Sequence, residues 1–169
     1  LGGSFFGKQS SFYARGDFDP NTGRVSDSVL RDQSQDSLNN ASRRDTLAEG
    51  IGAATVAIAE LTGGRFTEDL RIGATSRVPF GVALETAGRE GYDRETLREF
   101  TDAAEALQYG VELSINALEG GNEALVAYAQ NAAKAGTAAE DIVKGLEVLS
   151  IAAETGIDSI YGYAEAALE

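Results

Sequence analysis

Residues Asp93 to Leu118, DRETLREFTDAAEALQYGVELSINAL, decide how the rest of the chain is read. Their apolar members, Leu97, Phe100, Ala104, Leu107, Val111, Ile115 and Leu118, recur every three or four positions, which lays one stripe along a helix. Asp93 has the chemistry of an N-cap, and Glu95 falls in the first turn, where the helix dipole favours a negative charge. Gly120-Gly121 supplies a stop. The spacing therefore predicts one helix over 93–118. Arg94, Glu95, Arg98, Glu105 and Glu112 fall mostly off the stripe. Leu97, Phe100, Leu107, Val111 and Ile115 are thus expected to make the main internal or intersubunit contact.

Upstream of this helix, Leu70 to Thr75 (LRIGAT) and Phe80 to Glu85 (FGVALE) alternate as short strands, with a glycine-bearing loop from Gly88 to Tyr92 behind them. Before these, Gln35 to Leu61 carries Leu38, Ala41, Leu47, Ile51, Ala54, Ile58 and Leu61, a second long helical stripe broken where Arg43 and Arg44 intervene. Ser34 or Ser37 suits its N-cap, and Gly63-Gly64 ends it. Gly50 and Gly52 lie inside it, where each costs about 1 kcal/mol against Ala, so they predict close approach of a neighbouring helix or a kink. Further back, Ser11 to Arg15 and Gly23 to Leu30 flank a turn built on Pro20-Asn21 and Gly23, which reads as a β-hairpin. In front of the hairpin, LGGSFFGKQ places Phe5 and Phe6 on a glycine-rich tether that anchors the terminus to a core or a partner.

Downstream, Asn122 caps a helix reaching about Lys134. Thr137 to Glu140 reads as a capping box for a helix with Ile142, Leu146, Leu149 and Ala153, and a last helix runs from Asp158. The expected fold is α+β and mostly helical. It has two long helices, short β-hairpins and three shorter C-terminal helices, elongated and assembled in an oligomer. The expected segments are 1–34 (anchor and hairpin), 35–64 (long helix), 65–92 (second hairpin) and 93–169 (helical region). Leu1 is not an initiator, Met is absent, and the final YAEAALE shows no helix stop, so a processed chain or a piece of a longer one is expected.

Composition removes several classes of function. A net charge of −13 on 169 residues repels phosphate and anionic headgroups, so specific nucleic-acid binding is not expected. The chain has no Cys, which excludes disulfides and thiolate metal sites, and no His, the commonest general base and metal ligand. Triads that need His cannot be built, and no catalytic residue or cofactor is expected. No run of apolar residues is long enough for a spanning helix.

Three local patterns invite sharper readings. Asp17, Asp19 and Asn21 alternate like the opening of a calcium loop, but Gly23 is one place late and Ser28 stands where the bidentate Glu belongs, so hairpin-turn chemistry is the expected use. Arg15-Gly16-Asp17 spells an adhesion tripeptide. Glu68, Asp69, Glu85, Glu90 and Glu95 offer carboxylates, but the sequence does not fix any pair for glycosidic chemistry.

The order SFFGK, FDPNTGRVSDS, a long helix, RIGATSRVPFGVALE, TLREFTDAAEALQYGVELSINALEGG and TAAEDIVKGLEVLSIAAE resembles the C-terminal region of tape-measure proteins of long, non-contractile-tailed bacteriophages. The resemblance spans most of the chain through weak motifs. It implies a structural virion protein held in the tail tip, commonly as a trimer, bound by hub and distal tail proteins. It also implies release ahead of the DNA at ejection, with contact to the host envelope. Two other readings are an internal ejection protein or peptidoglycan-cleaving module, and an acidic helical surface or adhesion module.

Overall fold

The computed structural model describes residues 14–30, 34–77, 79–86 and 91–154. Phe5, Phe6, Gly88, Glu90 and the helix expected from Asp158 lie outside the described residues. Within them the chain is α+β, with four helices and antiparallel strands.

The first hairpin pairs β1 (Ala14–Asp19) with β2 (Arg24–Leu30). Its turn closes because the Asp19 carbonyl accepts the Gly23 amide at 2.8 Å while Gly23 takes φ 73°. Helix α1 (Gln35–Thr62) follows. Ser34 caps it by accepting the Ser37 amide, and Gly63, in the left-handed conformation, ends it. The apolar break in α1 is filled by polar contacts: Arg44 is buried and donates to the Arg15 carbonyl at 3.0 Å. A two-residue strand, β3 (Arg65–Phe66), leads into the second hairpin, β4 (Leu70–Ala74) and β5 (Phe80–Leu84).

The stretch 93–118 is not one helix. Asp93 caps a single turn, accepting the Glu95 amide on its side chain and the Thr96 amide on its carbonyl. Arg98–Phe100 then forms β6 against β5, with Phe80 opposite Phe100. The helix, α2, runs only over Ala103–Asn116, and Asp102 is its N-cap, accepting the Ala104 amide at 2.9 Å. Leu118–Glu119 forms β7, which pairs with β3 before the two left-handed glycines, Gly120 and Gly121. Asn122 caps α3 (Glu123–Lys134) as expected. Helix α4 (Ala139–Glu154) starts two residues after Thr137, and its first amide is taken by Gln108 Oε1 of α2, which replaces the expected capping box.

The two hairpins do not form separate units. They join in one sheet of order β2-β1-β4-β5-β6, with β1 antiparallel to β4. Because side chains alternate across a strand, Phe18, Leu70, Ile72, Phe80 and Val82 share one face. Against that face pack Leu47, Ile51 and Ile58 of α1 and Val111 and Ile115 of α2. Helices α3 and α4 complete the core through Leu125, Tyr128, Ile142, Leu146 and Leu149, with their main contacts on α1 and α2. Each large side chain so buried contributes roughly 1.5–3 kcal/mol. On the opposite face of the sheet, Tyr92 and Leu97 cover Ala83, and Asp17 faces Arg71.

Candidate functional site

Two features of the surface could support a function: a groove among the helices and a carboxyl cluster at one end of the sheet.

Two adjoining cavities, of about 400 and 520 Å³, share Gly50, Ala104 and Leu107 as their floor. One opens toward Phe80 and the first half of α1, and the other lies between α1 and α4. Small residues produce this groove. Gly50 leaves room for the Leu107 side chain, since a β-carbon there would lie 2.6 Å from Leu107 Cδ1. Ala53, Ala54, Ala138 and Ala139 keep the walls low. On α4 the wall residues Glu140, Lys144 and Glu147 step toward Ile151, and on α1 the wall residues Thr46 and Ser42 step toward Leu38. Leu38 and Ile151 are exposed, as is Val148. Among the described residues these three are the large hydrophobic side chains left in solvent, and all lie on the two wall helices.

The predicted contact stripe is split by the fold. Val111 and Ile115 are fully buried inside the chain, Leu97 lies on the far side of the sheet, and Phe100 is half-buried on the edge strand. Only Leu107 opens onto the groove. The stripe is therefore mainly an internal contact, because α2 is packed among α1, the sheet and α3.

At the other location, β1, β4 and β5 bring Asp17, Asp69, Arg71 and Glu85 together. Asp17 and Arg71 face each other across the β1–β4 register and form a buried ion pair. The strand register sets Glu85 beside Asp69, on the same face of the sheet as Asp17 and Arg71. Burial first, then the hydrogen bond to Asp17 and the charges of Asp17 and Asp69, push the Glu85 carboxyl up to about 7, against the opposing pull of Arg71. Burial and the Asp19 charge likewise raise Asp69. A polar cleft of about 460 Å³ opens beside these groups, lined by Asp19, Asn21, Arg65, Glu68 and Thr86 among others. In the sequence Asp69 and Glu85 were two of five unplaced carboxylates. Their contact follows from the β4–β5 register, in which Leu70 faces Leu84 and so sets Asp69 beside Glu85.

The alternating Asp17, Asp19 and Asn21 do not converge on one point. Asp17 turns to Arg71, Asp19 Oδ1 accepts the Asn21 amide at 2.9 Å, and the Asn21 side chain pairs with both backbone groups of Phe66. Among the described residues no group of three His, Cys, Asp or Glu is arranged to hold a metal ion. The tripeptide Arg15-Gly16-Asp17 lies inside β1, and its Asp is 7% exposed, so it is part of the sheet and not a presented loop. Among the described residues no helix is long and apolar enough to cross a membrane.

In the comparisons with known proteins, no family model, no curated protein and no solved structure matches the chain.

Proposed function

We propose that this chain is a non-catalytic structural module of a phage tail: the C-terminal part of a tape measure protein, held in the tail tip and released ahead of the DNA. Copies of the chain, three in the arrangement its sequence resemblance implies, associate along an elongated assembly with hub and distal tail proteins. The single observation behind this reading is the helix groove, together with the exposed Leu38, Val148 and Ile151 on the two helices that wall it. An apolar groove with exposed apolar side chains on its wall helices fits a surface that a partner covers. The net charge of −13 supports the same role, since a protein lying in the path of DNA must not bind it.

A peptidoglycan-cleaving module is the second reading, because Asp69 and Glu85 meet in a cleft. Their geometry disfavours it. Glycosidic carboxyls stand about 5–9.5 Å apart on either side of the scissile bond, whereas the register sets these two side by side on one face of the sheet.

The test begins with light scattering on the purified chain. Wild type is expected to self-associate, and Val148→Glu with Ile151→Glu to weaken association by at least about 100-fold, given roughly 1.5–3 kcal/mol per buried apolar side chain. Both positions are exposed, so circular dichroism should not change. Glu105→Gln, on an exposed residue outside the groove, should leave association intact. A wild type that stays monomeric at high concentration, or a double variant that associates as tightly, refutes the groove assignment. The location is checked by cross-linking mass spectrometry of intact virions, where links to proteins away from the tail tip would refute the tail-tip role.

A further inference from the structure

A third cleft, of about 420 Å³, lies where α2 meets β6, and it is lined by Phe100, Ala104, Glu105, Gln108, Tyr109 and Glu112. β6 is the last strand in the sheet order, so among the described residues no further strand closes that side. Phe100 and Tyr109 supply the aromatic surface, with ring centres 5.6 Å apart and planes tilted by 46°. Tyr109 is fixed in place, because its hydroxyl donates to the Thr96 carbonyl. The Arg98 guanidinium lies 5.8 Å from the centre of the same ring, which shows that this ring accepts a cation. Arg98 itself is held by the Glu95 and Leu97 carbonyls, to which Nη1 donates at 3.1 and 3.0 Å, and it does not line the cleft.

Glu105 and Glu112 are two helical turns apart on α2, so they stand on one face, about 10 Å from each other along the axis. Glu112 is positioned by Gln108, whose Nε2 donates to Glu112 Oε2 at 2.9 Å and to the Thr137 carbonyl at 2.8 Å. Gln108 is in turn anchored to the start of α4, where its Oε1 accepts the Ala139 amide at 2.9 Å. Among the described residues neither Glu105 nor Glu112 is in an ion pair. A purely apolar occupant would strip water from these carboxylates and give nothing back, whereas a cation compensates them. Of the two basic side chains, arginine fits better, because its planar guanidinium both stacks on aromatic rings and donates along its edges. A second copy of the chain, with 27 acidic residues to 14 basic ones, is the poorer source of such a group.

We propose that this cleft receives an arginine side chain presented by a basic segment of another protein. The aliphatic stem lies along Ala104, the guanidinium packs on Phe100 and Tyr109 and donates to Glu112, and Glu105 adds attraction from the other end. The contact is separate from the assembly groove and does not depend on it.

The test uses the whole chain and an acetylated, amidated pentapeptide, Gly-Ser-Arg-Ser-Gly. Two matched peptides carry lysine or citrulline in place of the arginine, and citrulline keeps the shape without the charge. NMR titration follows the ring signals of Phe100 and Tyr109 and the side-chain amide of Gln108. The arginine peptide should shift these together and saturably. The lysine peptide should bind about threefold more weakly and the citrulline peptide about fivefold or more. Glu105→Gln with Glu112→Gln should weaken the arginine peptide by about fivefold or more, and Glu123→Gln, an exposed carboxylate outside the cleft, should leave it unchanged. The Val148→Glu, Ile151→Glu variant should bind the peptide as wild type does, so failure of the groove assignment and failure of this one are told apart. Shifts that do not saturate, shifts spread over the acidic surface, or equal binding of the citrulline or lysine peptide overturn the proposal on wild type alone. Equal binding by the folded Glu105→Gln, Glu112→Gln variant overturns it as well.

Discussion

Gly145 on α4 faces the phenol of Tyr128 on α3, whose hydroxyl sits where a β-carbon at Gly145 would go. That hydroxyl is buried and has no hydrogen-bond partner among the described residues, and burial, with the Asp141 charge behind it, raises its pKa. Gly145→Ala should therefore cost about 1–3 kcal/mol by overpacking, although Ala is the better helix former. Tyr128→Phe removes an unpaired polar atom and should stay within about 1 kcal/mol of wild type. The double variant should recover part of the Gly145→Ala loss, and urea midpoints arranged as a double-mutant cycle measure the coupling. Independent, additive losses would mean that the two side chains do not meet. At this scale much of the site was hidden in the sequence. Asp69 and Glu85 look like any surface carboxylates until the strand register sets them side by side, and Asp17 looks like a turn residue until Arg71 appears across from it.

The two glycines inside α1 act differently. A β-carbon on Gly52 would lie 3.0 Å from the Gly23 Cα, which is backbone of the hairpin turn and has little freedom to retreat. A β-carbon on Gly50 would meet only the tip of Leu107, which can swing into the groove. Thermal denaturation should show Gly52→Ala destabilised by about 1 kcal/mol and Gly50→Ala unchanged or slightly stabilised, because the helix-propensity gain of about 1 kcal/mol survives only where the neighbour yields. Equal effects at the two sites would contradict this placement. The expected approach of a neighbouring helix holds at Gly50, which meets Leu107 of α2, whereas the neighbour of Gly52 is the hairpin turn; α1, α3 and the presence of both hairpins were also legible, although β1 runs to Asp19, into the stretch expected as turn. The sequence misread 93–102 for a definite reason. Leu97 and Phe100 are three residues apart, which is one face of a helix but opposite faces of a sheet. In the fold they lie on opposite faces, Phe100 across from Phe80 and Leu97 against Ala83. Strands β3 and β7, of two residues each, are too short to leave a period.

For the molecule as a whole, the sheet order could not be read from either hairpin alone, because the pairing that joins them leaves no local mark. Asp17 and Arg71 are 54 residues apart in the chain and adjacent in the sheet. Between them lie β2, the whole of α1 and β3. This seam also governs the order of events in time. Each hairpin is local and closes a short loop, whereas pairing β1 with β4 closes a long one, a step that long-range strand pairing makes slow. Stopped-flow refolding should show helical signal gained before the seam closes, with the closing rate read from a fluorophore pair placed across β1 and β4. If both signals rise together, the seam forms as early as the hairpins do. Until it closes, β1 and β4 each present a bare row of amides and carbonyls to any other strand nearby. A neighbouring copy in the same state offers the same strands, so crowded synthesis carries a risk of exchange, with the first hairpin of one chain pairing with the second hairpin of another.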